Sequence, residues 1–396
     1  MPENAEERVL RARMVWLGPG RHLAPGVVRI VAGRVVAIER ARGAVPPRAL
    51  FPGLVDAHVH LQIPALEQPE RDFVRWIGVV MRMRAQADEA AHRAAAEDAL
   101  RRLCADGVTA VGEVDSTGCS IAALRQVQLA GVCYRELVGF DLAAAAARAQ
   151  VDEASVHGTR RCRAGLSPHA PYSVSPALFR SARRTGRLLA IHVAETPAEQ
   201  QFLRTGRGPF RNLLQRLGKL SAGFRAPGVG AVEWLDGLGM LGPRTTLIHA
   251  QCIDRRDAER VAARRSPVVV CPGTIHYFRR PPPPVEQWLA AGIRVALGTD
   301  SRASNTGLSM RGEMALARRL WPALDGEQVL AMASSHGGAA LGRPSLGRIG
   351  VGRAADLVEY PMPDSAMECI DAFTRGAAAP DAVWLAGRRF AGAEFG

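Results

Sequence analysis

The sequence predicts an α/β protein, a (β/α)8 TIM-like barrel with a small β-sandwich module formed by both chain ends. Three observations carry that prediction. Between residues 51 and 344, short β-favouring apolar runs alternate with Ala/Arg/Leu-rich stretches of helical length. Eight such runs occur, the number that closes a parallel barrel. The two ends, 1–50 and 345–396, return to short strands broken by glycine and proline. These bounds give a three-part layout: first half of the module, barrel, second half of the module.

Within residues 1–50, "VVRIVAG" and "RVVAIER" flank a glycine and read as a hairpin. The first barrel strand lies in "LFPGLVDAHVH" (50–60). The others are "GVTAVGEV" (107–114), "VCYRELVGF" (132–140), "RAGLSPH" (163–169), "LLAIHVAE" (188–195), "TTLIHA" (245–250), "SPVVVCP" (266–272) and "IRVALGTD" (293–300). The alanine-rich "DLAAAAARAQVDEA" reads as an exposed helix. "RRPPPPVEQW" (279–288) is a stiff loop segment rather than a domain linker, because the barrel pattern continues beyond it. In the tail, "LGRIGVGRAADLVEY" and "AVWLAGRRF" supply the module's remaining short strands.

Composition narrows the partners. A net charge of +13 raises the question of nucleic acid, but the basic residues are scattered and all but Lys219 are arginine, with no basic stretch interleaved with aromatics. We therefore expect no nucleic-acid partner. Seven cysteines, widely spaced and without a CxxC pair, suit a reducing cytoplasm. The amino-terminal stretch lacks the apolar core of a signal peptide, and no later run reaches membrane-spanning length. The expectation is a cytoplasmic protein without membrane attachment.

Functional side chains of a parallel barrel collect where its strands run out. Five of the ten histidines fall at such ends. His58 and His60, at i and i+2, project to one face of a strand, and two adjacent imidazoles at a barrel mouth are best explained by a shared cation. His192 ends another strand as a third imidazole, and Asp300, closing "VALGTD", adds an anionic oxygen. Three neutral imidazoles and a carboxylate suit one divalent ion, Zn²⁺ or Fe²⁺, with a position open for water. Such an ion brings the pKa of water towards neutrality. Glu195, three residues after His192, is placed to shuttle protons. His249, in "IHAQC", is a further ligand or a base that orients the water. His169, in "SPHAPYS", stands at the rim as a substrate contact. His22, His92, His157 and His336 read as structural or solvated, Glu113 and Asp115 as structural, and His276 as a second candidate for the pocket.

Taken together, "PGLVDAHVH", "SPHAPYSVS", "HVAET", "IHAQC", "GTDSRASNTGLSMRGEM" and "LGRIGVGRAADLV" resemble the metal-dependent amidohydrolase superfamily. They look most like its branch of cytosine, guanine, S-adenosylhomocysteine and aminofutalosine deaminases and related chlorohydrolases. The resemblance spans nearly the whole chain in order. Matched by position, it implies His58, His60, His192 and Asp300 as metal ligands, Glu195 and His249 as the proton-handling pair, Asp300 as sharing in orienting the water, and His169 as a substrate contact. Many members bridge two metals with a carboxylated lysine at the end of strand four; the single lysine here, Lys219, follows strand five, which implies a one-metal site. The chain departs from the branch after strand seven, where "CPGTIHYF" replaces the common "CPRSN". Dimers are common among proteins of this kind, and a homodimer is expected with the resemblance.

The expected activity is hydrolytic deamination of a small-molecule aminated aromatic heterocycle, a purine-nucleoside-like compound or a free base. Dechlorination of a triazine-like ring and opening of a cyclic amide are the rivals within the superfamily, and a non-catalytic scaffold is a distant one. The H-x-E with P-C-x-x-C pattern of cytidine deaminases and the H-E-x-x-H pattern of metalloproteases are both absent.

Overall fold

The barrel strands are β1 (Leu54–Val59), β2 (Val108–Asp115), β3 (Ala130–Leu137), β4 (Cys162–Pro168), β5 (Leu189–Val193), β6 (Thr245–His249), β7 (Val268–Val270) and β8 (Val295–Leu297). Each pairs in parallel with the next in chain order. The structure, a computed structural model, describes residues 7–154, 158–221, 223–362 and 365–392; His157 lies outside the described residues.

Closure of the ring is made at the end that carries the chemistry. Val59 and Asp300 form a parallel bridge, with Asp300 N donating to His58 O and His60 N donating to Asp300 O, each at 3.0 Å. Gly298 permits this approach: a Cβ there would lie 2.8 Å from the His58 carbonyl oxygen and 2.9 Å from its Cβ. The eight expected strands are thus all present, in the expected order, as one barrel.

Side chains of small and branched residues, among them Val55, Ala57, Ala110, Val132, Ala190, Ile248, Val269 and Ala296, fill the barrel interior. Outward residues such as Val111, Ile191 and Leu247 meet the surrounding helices in the main core. The helix Pro176–Arg184 shows why these segments are helical: Ser175 accepts from Leu178 N, a proline occupies the first turn, and Leu178, Phe179 and Ala182 form the buried stripe.

The flanking module has two sheets. One is antiparallel, from Arg8–Ala12, Gly26–Val31 and Arg34–Arg40. The other runs Arg388–Arg389, Ala382–Leu385, Leu357–Pro361, Arg48–Pro52, Met14–Gly18, Arg21–Leu23, so both chain ends share one sheet. Leu10, Val28, Ile30, Leu50, Leu357 and Trp384 pack between them. Two details differ from expectation. Module pairing reaches Pro52 rather than stopping at 50, and Ala366–Thr374 is a helix within a tail that reads as strands. That helix stacks Phe373 on Phe51 with ring centroids 4.4 Å apart, and Ser365 caps it through Glu368 N.

Candidate active site

Strand alternation alone does not bring the candidate residues together. On β1, Val55 and Ala57 face the barrel interior, while Leu54, Val59 and Leu61 face the outer core. The register with β2 shifts between Asp56 and Val59, and this irregularity turns both His58 and His60 into the mouth. His192 follows inward Ala190 by simple alternation. His249 follows inward Ile248 and would face out, but its backbone is left-handed (φ 69°), as are those of Ala194, Ala250 and Asp300 (φ 50°, 51° and 60°). Such conformations cost on the order of 1–3 kcal/mol each for residues with a side chain, and persist where surrounding structure over-determines them. Here Glu199 does part of that: its carboxylate accepts from Ala194 N at 3.1 Å and Glu195 N at 2.9 Å.

The resulting cluster is buried, with its imidazole rings packed against one another. The His58 ring lies 4.9, 4.8 and 5.7 Å from those of His60, His192 and His249. His60 Nδ1 meets the Val114 carbonyl and His192 Nδ1 the His169 carbonyl, both at 3.2 Å. A carbonyl only accepts, so each Nδ1 carries the hydrogen and each Nε2 carries a lone pair. Those two Nε2 atoms face each other at 3.4 Å. Burial, with His58 beside it, drops His60 to about 3; burial, with His169 and His58 nearby, holds His192 well below the ordinary imidazole value. Protonation therefore does not relieve the opposed lone pairs. His58 is buried with neither ring nitrogen hydrogen-bonded. An electropositive centre would satisfy the Nε2 atoms of His60 and His192 and one ring nitrogen of His58 at once.

Asp300 fits the same need. Its Oδ2 accepts from Thr274 Oγ1 and Ser304 Oγ, each at 2.9 Å, leaving Oδ1 towards His58 Nε2 at 3.5 Å and His60 Nε2 at 3.8 Å. Burial alone would raise this carboxyl; the His58 ring beside it, with His249 and His60, holds it well below its ordinary value. Two overlapping groups could hold a cation, His58–His192–His249 and His58–His60–Asp300, with His58 common to both. The donors are imidazole nitrogen and carboxylate oxygen, a set that suits a divalent zinc-like ion.

Beside the cluster, Glu195 Oε2 stands 3.7 Å from His249 Nε2, and His249 Nε2 4.0 Å from Asp300 Oδ2. Arg280 donates to the other Glu195 oxygen, Oε1, at 2.9 Å. His169 lies against His192 (centroids 4.8 Å apart), with its Nδ1 2.7 Å from Ser173 Oγ. All seven predicted residues are thus brought to one place, and six of them, all but His58, line a cavity of about 920 Å³. Phe73, Trp76, Ile77, Val80, Leu213 and Leu217 give it an apolar wall, while Glu136, paired to Arg84 at 3.6 Å, and Lys219 add charge.

Other candidates take different places. His276 is exposed on the helix Pro272–Tyr277. Glu113 accepts from Leu61 N and Ser120 Oγ, and Asp115 from Thr117 N, Gly118 N and Ser120 N, so both hold loops. Buried His92 reaches the Gln62 carbonyl and also borders the cavity. Sequence reasoning passed over Glu199, Thr274, Glu136 and Arg280. Glu199 had a signal, lying one helical turn after Glu195; the other three depend on loop paths that leave no spacing to read.

The profile of the amidohydrolase family matches residues 49–388 of the chain. The aminodeoxyfutalosine deaminase of Deinococcus radiodurans is 35% identical, over 84% of each chain. Among solved structures, Helicobacter pylori aminofutalosine deaminase in complex with methylthio-coformycin superposes with a TM-score of 0.85 at 22% identity, covering 97% of this chain and all of that one. Atrazine chlorohydrolase of Arthrobacter aurescens, complexed with zinc, gives 0.79 at 20% identity, over 96% of this chain and 94% of that one. Fold alone therefore does not separate deamination from dechlorination.

Proposed function

This chain belongs to the amidohydrolase family, and from that premise we propose that it is a metal-dependent deaminase of a purine-nucleoside-like compound, releasing ammonia by hydrolysis. The observation that carries the reading is the set of buried imidazole rings, His58 with no hydrogen-bond partner and His60 and His192 with opposed Nε2 atoms, converging beside Asp300 and Glu195 at the floor of one large cavity. The 35% identity to a deaminase over most of both chains supports deamination over dechlorination.

In this reading His58, His60, His192 and Asp300 hold one divalent ion, zinc first and iron second. Bound there, the ion supplies Lewis acidity that makes water a nucleophile near neutral pH. The chain's own residues do the rest. His249 and Asp300 would orient the attacking water towards the amino-bearing ring carbon. Glu195, through Oε2, accepts a proton from that water and delivers it to the neighbouring ring nitrogen. A second proton leaves with the amino group, so that one water and one amine are exchanged for a carbonyl and ammonia. His169, beside His192, contacts the substrate at the rim.

Cavity size favours a nucleoside over a bare base. About 920 Å³ lies near the top of the roughly 300–1,000 Å³ range of small-molecule sites, and the wall from Phe73 to Leu217 is apolar. A base at the metal would leave that wall in water; a nucleoside carrying an apolar group on the sugar would cover it. Ammonia release should therefore be fastest, by at least tenfold in kcat/KM, with adenine nucleosides extended at the 5′ position, compared with adenosine, free adenine, guanine, cytosine and amino-triazines. Preference for a free base, or chloride release from a chlorotriazine without ammonia from any nucleoside, would contradict the reading. No helix among the described residues is long and apolar enough to cross a membrane; the wide spacing of the seven cysteines, without a CxxC pair, is the feature on which we place the protein in the cytoplasm.

A further inference from the structure

The segment after β7, where this chain departs from the pattern of related deaminases, ends on Arg280. The helix Pro272–Tyr277 is followed by Phe278 and by Arg279 in a left-handed conformation (φ 53°), which sends the chain back over the barrel mouth. The path beyond is stiff. Arg280 N donates to Ile275 O at 3.0 Å, four prolines follow, the Gln251 side chain donates to Pro281 O, and Trp321 Nε1 donates to Pro283 O at 2.8 Å.

The Arg280 guanidinium, 12% exposed, lies over the rings of Phe278 and Phe73, 4.4 and 4.9 Å from their centroids. Nη1 donates to Glu195 Oε1 at 2.9 Å; Nη2 is buried with no hydrogen-bond partner. Leaving a buried donor unmade is costly, and aromatic faces offset only part of that cost. A cation placed merely to brace two loops would not be held in a setting that satisfies half of its fork. Among the described residues its one polar side-chain partner is the carboxylate beside His249.

We propose that Arg280 is a positioning residue for Glu195, a claim that rests on reading Glu195 as the proton-transferring group. A glutamate side chain has three rotatable bonds and two equivalent oxygens. The Glu195 backbone is fixed by Glu199, and Arg280 fixes Oε1, so that Oε2 alone is presented to His249 and the cavity. Phe73 stands at the start of the helix Phe73–Gln86, which follows β1, and Phe278 follows β7. Two mouth loops therefore converge on the cation that sets the glutamate.

Arg280→Met keeps an apolar stem against both rings and removes the charge and the fork. We expect kcat to fall about 100-fold, with KM within about threefold and with metal content and thermal midpoint as in the wild type. Arg280→Lys, a cation without the planar fork, recovers about tenfold of that loss. Wild-type kcat in Arg280→Met overturns the proposal, as does a loss in both variants that tracks lost metal or a lowered midpoint. Wild-type protein that deaminates nothing would instead sink the deaminase reading. Positioning is then read from crystal structures of wild type and Arg280→Met: the carboxylate turns away from His249 in the variant if the proposal holds, and stays in place if it is wrong.

Discussion

Glu195→Gln keeps its fold and its metal and loses turnover by about 10²–10⁴-fold, the range over which a positioned acid–base group acts. The substitution is close to isosteric, and its amide oxygen still accepts from Arg280 in place of Oε1. What disappears is the oxygen that faces His249 and that, in the proposed reaction, takes and returns a proton. The loss should fall on kcat, because Glu195 is one residue among many that line a cavity with a large apolar wall, and substrate binding draws mainly on that wall. Steady-state ammonia release together with metal analysis of the same sample checks this. A variant with near wild-type kcat would remove Glu195 from the proton path.

His192→Ala has an equally large effect by another route. Removing this ring abolishes the opposed Nε2 pair with His60 and takes one nitrogen from a cluster that shares His58. Changes in the outer shell of a metal site typically cost about 10–100-fold in affinity or activity, and loss of a ligand should exceed that. The purified variant should hold less than a tenth of the wild-type metal and release ammonia at the rate of chelator-treated wild type. Metal content and circular dichroism separate a lost ligand from a lost fold. A folded variant with full metal would show that His192 does not bind it.

The fold was legible because a parallel barrel writes itself as alternation, and each of β1 to β8 overlaps one of the eight apolar runs, with ends that differ by at most a few residues. The site was legible for a less secure reason. The spacing of His58 and His60 places two rings on one face of any strand, but in this chain it is the register shift at Asp56–Val59 that decides which face. His249 sits at a strand end as expected, yet it reaches the mouth through left-handed backbone that no pattern of apolar residues encodes. His192 and Asp300 are in phase with inward Ala190 and Ala296. Residue type and strand-end position therefore picked out residues that the structure brings together, while the geometry that unites them draws on backbone irregularities and on partners distant from β1, such as Thr274 and Ser304 on Asp300.

The loops were not legible. "CPGTIHYFRR" offered His276 as its most reactive side chain, and the helix it forms turns that ring to solvent. Its contributions to the site are instead Thr274, which orients Asp300, and Arg280, which reaches Glu195 across 85 residues of sequence. Contacts of that span depend on where loops cross in space, and one sequence does not state this.

The most direct test of the account is to strip the protein with a chelator and titrate zinc back while following ammonia release from a 5′-extended adenine nucleoside. The account predicts no turnover in the stripped protein and a linear rise to a plateau at one equivalent per chain. Turnover by the metal-free protein, or a plateau that requires two equivalents, would contradict it.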